Sequence, residues 1–319
     1  MLNLTNMKSI SIIIPAYNEE RNIFPLYTAL KKVFLPMENS YEFSILFIND
    51  GSQDNTIFEI EKLSKSDVMI KYIDFSRNFG KELATTAGIN SCVSDACIML
   101  DADMQHPVEL IPEFIAKWEE GNDVVIGVRK ENKSDGWTKK LGSKIFYKII
   151  NQITDVHILP SATDFRLIDR VVVAEFNRFT ETNRMTRALI DWLGFRRTYI
   201  YFDANERLYG TASYDFWKLF KLAINSFVSL SLVPLKLAGS LGILITTVSG
   251  VAGLYILLGK YFFHTNFAST FSDAENLAIL ILFLVGIILM SIGLLAIYVA
   301  NIHSEVINRP MYVVRRKKI

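Results

Sequence analysis

Cysteine is almost absent from this chain of 319 residues. Cys92 and Cys97 are the only two, and both lie in or beside an apolar strand pattern. That excludes a disulfide framework and a cysteine-rich zinc site, and reads as two buried free thiols in a reducing compartment. Excess charge is missing as well. The 34 basic and 33 acidic residues leave a formal net charge of +1. This excludes the basic field of a nucleic-acid binder, and no base-reading motif is present. Residues 1–10 hold no basic segment followed by a long apolar core. No secretory leader is expected, and the N-terminal part is expected to stay in the cytoplasm.

What the chain does hold is apolar residues, at 50% of the total. They are spread unevenly. Up to about residue 210 the pattern is that of a globular domain. Beyond it, residues 237–259 and 277–300 carry no charge at all. Each is long enough to cross a hydrocarbon core, which takes about 20 residues, and both are expected to be transmembrane helices. The loop 260–276 between them has Lys260 and His264, whereas the tail 301–319 carries Arg315-Arg316-Lys317-Lys318. The positive-inside rule then places both termini in the cytoplasm and the loop outside.

Two further segments point toward a membrane surface. In 137–153, Lys140, Lys144 and Lys148 form one stripe, and Leu141, Ile145, Ile149 and Ile153 form another at the same spacing. This is a basic amphipathic helix, read as interfacial, with an ordinary surface helix as the alternative. In 211–236, Phe216, Trp217, Phe220 and Phe227 stand beside Lys218 and Lys221. Aromatics mixed with lysines favour the bilayer interface.

Within the N-terminal part, strands are expected over 10–14, 43–48, 69–75, 96–100 and 123–128. Helices are expected over 18–35, 54–63, 81–91 and 107–119. Such alternation defines an α/β fold with a mostly parallel sheet and right-handed crossovers. Sheets of this kind bind ligands at the carboxyl ends of their strands. Every polar cluster of note falls at such an end: Pro15 to Glu19, Asn49 to Ser52, Ser76 to Lys81, Asp101 to Gln105, and Gly127 to Arg129.

Among these, Asp101-Ala-Asp103 says most about chemistry. Side chains at i and i+2 of an extended segment point to one side. Two carboxylates there suit a hard divalent cation that keeps positions open for substrate phosphates. A polar turn is the plainer reading. Pro15-Ala-Tyr-Asn-Glu19 places Tyr17 and Glu19 where a base and ribose would lie. Asp50 is suited to accept a base N–H, and Arg77 to Lys81 add cations suited to phosphate. Asp54 and Thr56 read as helix caps.

These pieces, in this order, resemble the family 2 glycosyltransferases. Within them the resemblance is to the polyprenyl-phosphate enzymes, of the dolichol-phosphate mannose synthase and bactoprenol glucosyltransferase kind. Asp164-Phe-Arg166-Leu and Glu206-Arg207 leading to Gly210-Thr-Ala-Ser213 complete the match, which covers nearly the whole chain. The resemblance implies a Rossmann-like GT-A domain over 1–210, an interfacial segment over 211–236 and a membrane-spanning helix pair. It implies that Asp101, Asp103 and Gln105 hold Mg²⁺ or Mn²⁺. Pro15, Tyr17, Asn18, Glu19, Asp50, Ser52, Lys81 and Asp101 would bind the nucleotide sugar. Arg129, Arg166, Arg207 and Ser213 would meet donor or acceptor phosphates. Asp103 and Asp164 would be catalytic, and the plainer reading of Asp164 is an ion pair with Arg166. A homo-oligomer, by resemblance a tetramer, is implied. The Gln-x-x-Arg-Trp motif of processive polysaccharide synthases is absent, since Gln152 is followed by Ile-Thr-Asp.

The implied reaction is inverting transfer of one sugar, glucose from UDP-glucose, onto undecaprenyl phosphate at the cytoplasmic face of the inner membrane. Rivals are a GDP-mannose:dolichyl-phosphate-type enzyme, a transferase of aminosugar or modified arabinose onto undecaprenyl phosphate, and a catalytically inactive scaffold that binds lipid phosphate.

Overall fold

The computed structural model describes residues 7–130, 162–181, 184–203, 273–307 and 309–319. The chain divides into two compact units, Met1–Tyr214 with Arg309–Ile319, and Asp215–Asn308.

The first unit is built around β1 (Lys8–Ala16). Its β-branched run is covered on both faces, with Ile10, Ile12, Ile13 and Ile14 fully buried. Ile10, Ile12 and Ile14 join one apolar cluster and Ile13 joins the other. The period-two alternation of a strand thus feeds two cores, one on each side of the sheet. The first core takes α1 (Glu20–Phe34), α2 (Thr56–Ser66) and α4 (Ile111–Glu119). The second takes α3 (Lys81–Asn90), α5 (Arg170–Phe176) and α6 (Thr186–Trp192).

The remaining strands are β2 (Tyr41–Asn49), β3 (Ile70–Phe75), β4 (Ala96–Met99), β5 (Val124–Arg129), β6 (Ala162–Asp169), β7 (Arg197–Phe202) and β8 (Val314–Lys318). They form one sheet in the order β7-β5-β6-β4-β1-β2-β3-β8. β1 pairs in parallel with β2 and β4, and β2 in parallel with β3. This is the expected α/β architecture, and the strands and helices up to β5 fall within a few residues of their expected places.

Beyond residue 129 the structure adds what the sequence pattern did not announce. β6 enters antiparallel between β4 and β5. β7 pairs in parallel with β5. The basic tail is not a loose solvated end: β8 pairs antiparallel with β3 and becomes the edge of the sheet. Lysine and arginine on an exposed edge strand discourage further strand addition, so a basic edge strand is physically apt.

In the second unit the described element is α7 (Asp273–Ile307), a helix of 35 residues that contains the stretch 277–300. Among the described residues, no helix is long and apolar enough to cross a membrane; many side chains of α7 are not among them. Residues 137–153, 211–236 and 237–259, with Arg207 and Ser213, lie outside the described residues.

Candidate active site

The site forms where β1, β2, β3 and β4 end. After each of these strands the chain passes through a left-handed residue: Asn18 (φ 57°), Gly51 (φ 64°), Gly80 (φ 103°) and Met104 (φ 59°). Asn18 and Met104 are the only non-glycine residues with positive φ among the described residues. Backbone of this kind costs free energy and persists where surrounding contacts enforce it.

Those contacts are explicit. Asn18 N donates to Ser52 Oγ at 3.0 Å, and Gln53 N donates to Asn18 Oδ1 at 2.8 Å. Ser52 Oγ donates to Asn49 Oδ1 at 2.5 Å. Glu19 N donates to Thr56 Oγ1 at 2.8 Å, and the Asp54 carboxylate accepts from Thr56 N and Glu20 N. Pro15 is paired with Ile48 in the sheet, and Tyr17 is 41% exposed, leaving a ring free to meet a ligand.

Asp50 is 3% exposed. Its carboxylate accepts from Phe79 N at 2.7 Å and Gly80 N at 2.9 Å, so it fixes the loop leading into α3. Burial pushes the Asp50 carboxyl up, against those two bonds and the nearby Arg77. The Arg77 guanidinium lies 4.0 Å over the Phe79 ring. Gly51 lets the two loops touch: a Cβ there would meet Arg77 C at 2.2 Å and Asn78 N at 2.6 Å.

The charged centre lies between β4 and β6. Their antiparallel register pairs Met99 with Arg166. Continued by two residues, it brings Asp101 level with Asp164. From α3, Lys81 reaches between them, with Nζ 2.6 Å from Asp101 Oδ1 and 2.8 Å from Asp164 Oδ2. Burial pulls the Lys81 ammonium down, but the two carboxylates prevail and hold it above its ordinary range. Burial pushes the Asp164 carboxyl up, and Lys81 and Arg187 prevail, holding it well below the usual carboxylate range. Asp164 therefore pairs with Lys81 rather than with Arg166.

Arg166 has a different task. Its guanidinium is fully buried, with Nη1 donating to Asp191 Oδ1 at 2.9 Å and Nε donating to Thr163 O at 3.1 Å. These bonds commit it to joining β6 and α6, and they leave it poorly placed to greet a phosphate. Arg129 ends β5, half-buried.

Asp101 and Asp103 stand on either side of Ala102, which is 3% exposed while both carboxylates are half-buried. β4 ends at Met99, and Ala102 and Asp103 lie in a turn rather than in the extended segment expected. Asp103 Oδ1 accepts from Gln105 N at 3.1 Å. His106 backs this loop. It is 7% exposed and stacks on Phe165 with ring centroids 5.2 Å apart. Asp101 N donates to His106 Nδ1 at 3.2 Å, and burial pushes the imidazole down, which keeps that nitrogen an acceptor.

Among the described residues no three of His, Cys, Asp and Glu are grouped as a complete metal cage. The donor set still fits Mg²⁺ or Mn²⁺, which bind through one or two carboxylates and fill the remaining positions with substrate phosphate and water. Behind Asp164, Glu82, Thr85, Arg166, Thr186 and Arg187 line a small cavity. Thr186 N donates to Glu82 Oε2 at 2.8 Å, and burial with Asp164 nearby pushes the Glu82 carboxyl up. Arg187 Nε is buried without a hydrogen-bond partner among the described residues. Sequence reading assigned no role to His106, Glu82 or Arg187. The first sits between a named motif and a proline, but the other two lie inside helices with nothing to mark them.

A mostly parallel sheet whose strand ends gather a buried acid, a two-carboxylate turn and a lysine has its candidate site where α/β proteins bind ligands, at the carboxyl ends of the strands. The family model described as glycosyl transferase family 2 matches residues 11–176. An uncharacterised glycosyltransferase of Synechocystis is 38% identical over 305 residues, covering 96% of this chain and 94% of that protein. A prophage bactoprenol glucosyl transferase homologue of Escherichia coli is 34% identical over 309 residues, covering 97% and 99%. The bactoprenol glucosyl transferase of Shigella phage SfII is 34% identical over 307 residues, covering 96% and 97%. The chain belongs to glycosyltransferase family 2, and the protein is a glycosyltransferase.

Proposed function

We propose that the protein moves one glucose from UDP-glucose onto the phosphate of an undecaprenyl lipid, at the cytoplasmic face of the membrane and with inversion at the anomeric carbon. The observation that carries this reading is the pairing of Asp164 with Lys81 at 2.8 Å. A carboxyl held that far below its usual range is a weak base. It is ill suited to deprotonating a sugar hydroxyl. A phosphate monoester, with a second pKa of about 6, arrives already ionised and needs no base. The relatives named bactoprenol glucosyl transferase, alike over nearly the full length, support the same acceptor.

In the reaction, a phosphate oxygen of the acceptor attacks the anomeric carbon. The bond from that carbon to the β-phosphate oxygen breaks, and the electron pair leaves with UDP. Asp101, Asp103 and Gln105 would hold the divalent cation, which supplies Lewis-acid stabilisation of the departing diphosphate. Lys81 adds a second positive charge beside it. Asp164 stays ionised and stabilises positive charge at the anomeric carbon. Pro15, Tyr17, Asn18, Glu19, Asp50 and Ser52 form the nucleoside pocket. Arg129, with Arg207 and Ser213, would hold the acceptor phosphate and so turn a bimolecular step into a positioned one.

The uncharged stretches 237–259 and 277–300 would anchor the enzyme. An isoprenoid tail leaves a bilayer only at about 0.8 kcal/mol per exposed CH₂, so the site must come to the headgroup. The basic helix 137–153 and the segment 211–236 would set its height.

The test uses full-length protein in membranes with radiolabelled UDP-glucose, undecaprenyl phosphate and MgCl₂ or MnCl₂. A glycolipid should form only with the divalent cation, and undecaprenol without phosphate should not be glycosylated. Asp103→Ala protein working at the normal rate would refute the metal assignment. Failure to label the lipid from any of a panel of sugar nucleotides would refute the acceptor.

A further inference from the structure

The C-terminal strand is joined to the nucleoside pocket by one continuous row of hydrogen bonds. Strand register sets Ala16, Asn49, Asp74 and Arg316 side by side across β1, β2, β3 and β8. Asn49 and Asp74 are 1% and 2% exposed. Arg316 Nε donates to Asp74 Oδ2 at 2.9 Å, and Asn49 Nδ2 donates to Asp74 Oδ1 at 2.7 Å. The second face of the Asn49 amide, Oδ1, accepts from Ser52 Oγ, whose oxygen accepts from Asn18 N.

The row has a direction. An ionised carboxylate only accepts, so Asp74 commits Asn49 to present its NH₂ on that side. The amide oxygen must then face Ser52, the Ser52 hydroxyl must donate to it, and the Ser52 oxygen is left to accept from Asn18 N. Each bond polarises the next. Arg316 supplies the charge-assisted bond at the head of the row and the counter-charge of a buried acid. It also pairs with Glu61, Nη1 to Oε1 at 2.7 Å, which fixes its own position. Nothing in the sequence joins position 316 to position 18.

We infer that Arg316 is a positioning residue for the donor nucleotide: from the last strand it orients the left-handed turn at Asn18 and the Ser52 loop that hold the nucleoside. This rests on the donor pocket assigned above. With alanine at position 316, one oxygen of a buried carboxylate loses its donor, and the direction of the row is no longer enforced. The pocket loosens while Asp101, Asp103, Asp164 and Lys81 keep their contacts. The loss falls on nucleotide affinity rather than on turnover.

The experiment measures UDP binding by titration calorimetry with MnCl₂ on the full-length protein in detergent, alongside steady-state kinetics. Arg316→Ala is expected to raise the Kd for UDP and the donor KM about five- to tenfold. The kcat and the acceptor KM should stay within about twofold, and Arg316→Lys should recover part of the affinity. Lys317→Ala, which removes a neighbouring charge outside the row, should bind UDP like the wild type. Asp74→Asn breaks the same contact from the other side and should give the same rise, which covers the case of a poorly folded Arg316→Ala. Wild-type affinity in a folded Arg316→Ala or Asp74→Asn protein, or an equal loss in Lys317→Ala, overturns the inference. A wild-type chain that binds no UDP overturns the donor pocket as well.

Discussion

A single ammonium, that of Lys81, bridges Asp101, two residues beyond the end of β4, to Asp164 on the antiparallel neighbour β6. The Lys81 side chain is 41% exposed, so water screens part of this attraction. Its importance is chemical rather than structural. It sets one positive charge between two carboxylates, where negative charge would otherwise accumulate against a diphosphate.

Lys81→Met leaves both carboxylates without that counter-charge. We expect kcat to fall about 100-fold, the scale set by removing one preorganised electrostatic contact, with circular dichroism unchanged. The sign of the pH dependence follows from the shifts. Asp164 is depressed, so its contribution is complete above the ordinary carboxylate value of about 3.9 and is lost as pH falls through its lower folded value. Lys81 is raised, so its contribution is complete below about 10.4 and is lost only as pH rises through its higher folded value. The pair is intact in between. An acid limb in kcat near pH 6, abolished by Asp164→Asn, would contradict this.

Gly51 and Gly80 separate two causes of glycine dependence. Both have positive φ, but a Cβ on Gly51 runs into the backbone of Arg77 and Asn78, whereas one on Gly80 meets nothing within 4 Å. Gly80→Ala should cost only the penalty of that backbone, with φ 103° and ψ 151°, about 1–3 kcal/mol. Gly51→Ala should cost more and force the Asn49 and Arg77 loops apart. Thermal unfolding and UDP binding on the two variants should rank them so.

Arg166 and Asp191 form a pair whose side chains are 1% and 4% exposed. Arg166→Met strands a buried carboxylate and should destabilise the domain by about 3–5 kcal/mol. Adding Asp191→Leu should recover most of that. The check is chemical denaturation followed by tryptophan fluorescence. If Arg166→Met left stability unchanged but raised the acceptor KM, Arg166 would be a phosphate ligand after all.

Arg166 also shows where sequence reading stops. Its motif was legible because Asp164-Phe-Arg166 follows a recognisable order. Its partner was not, because Asp191 lies 25 positions away on a helix with no signal of its own. The alternating strands and helices up to β5 were legible for the opposite reason: each is a local apolar run or amphipathic stretch bounded by turn and capping residues. β6 was missed because its place between β4 and β5 depends on a partner chosen at long range. β8 was missed because Val-Arg-Arg-Lys-Lys reads as a solvated charge run. Its pairing comes from the free edge of β3, which no local pattern records. Asp101 and Asp103 stood out through their spacing. That Lys81 would bridge the first of them to Asp164 depends on the angle at which α3 leaves the sheet.

Asp74 of β3 meets Arg316 of β8 across 242 positions of sequence, so the sheet acquires this edge strand only after all the intervening chain has been made. Until then β3 presents a raw edge of unpaired amides and carbonyls, and Asp74 waits for its arginine. A chain cut before β8 is therefore an unfinished domain, open to strand addition by a neighbour. β8 closes that edge with a cationic ribbon.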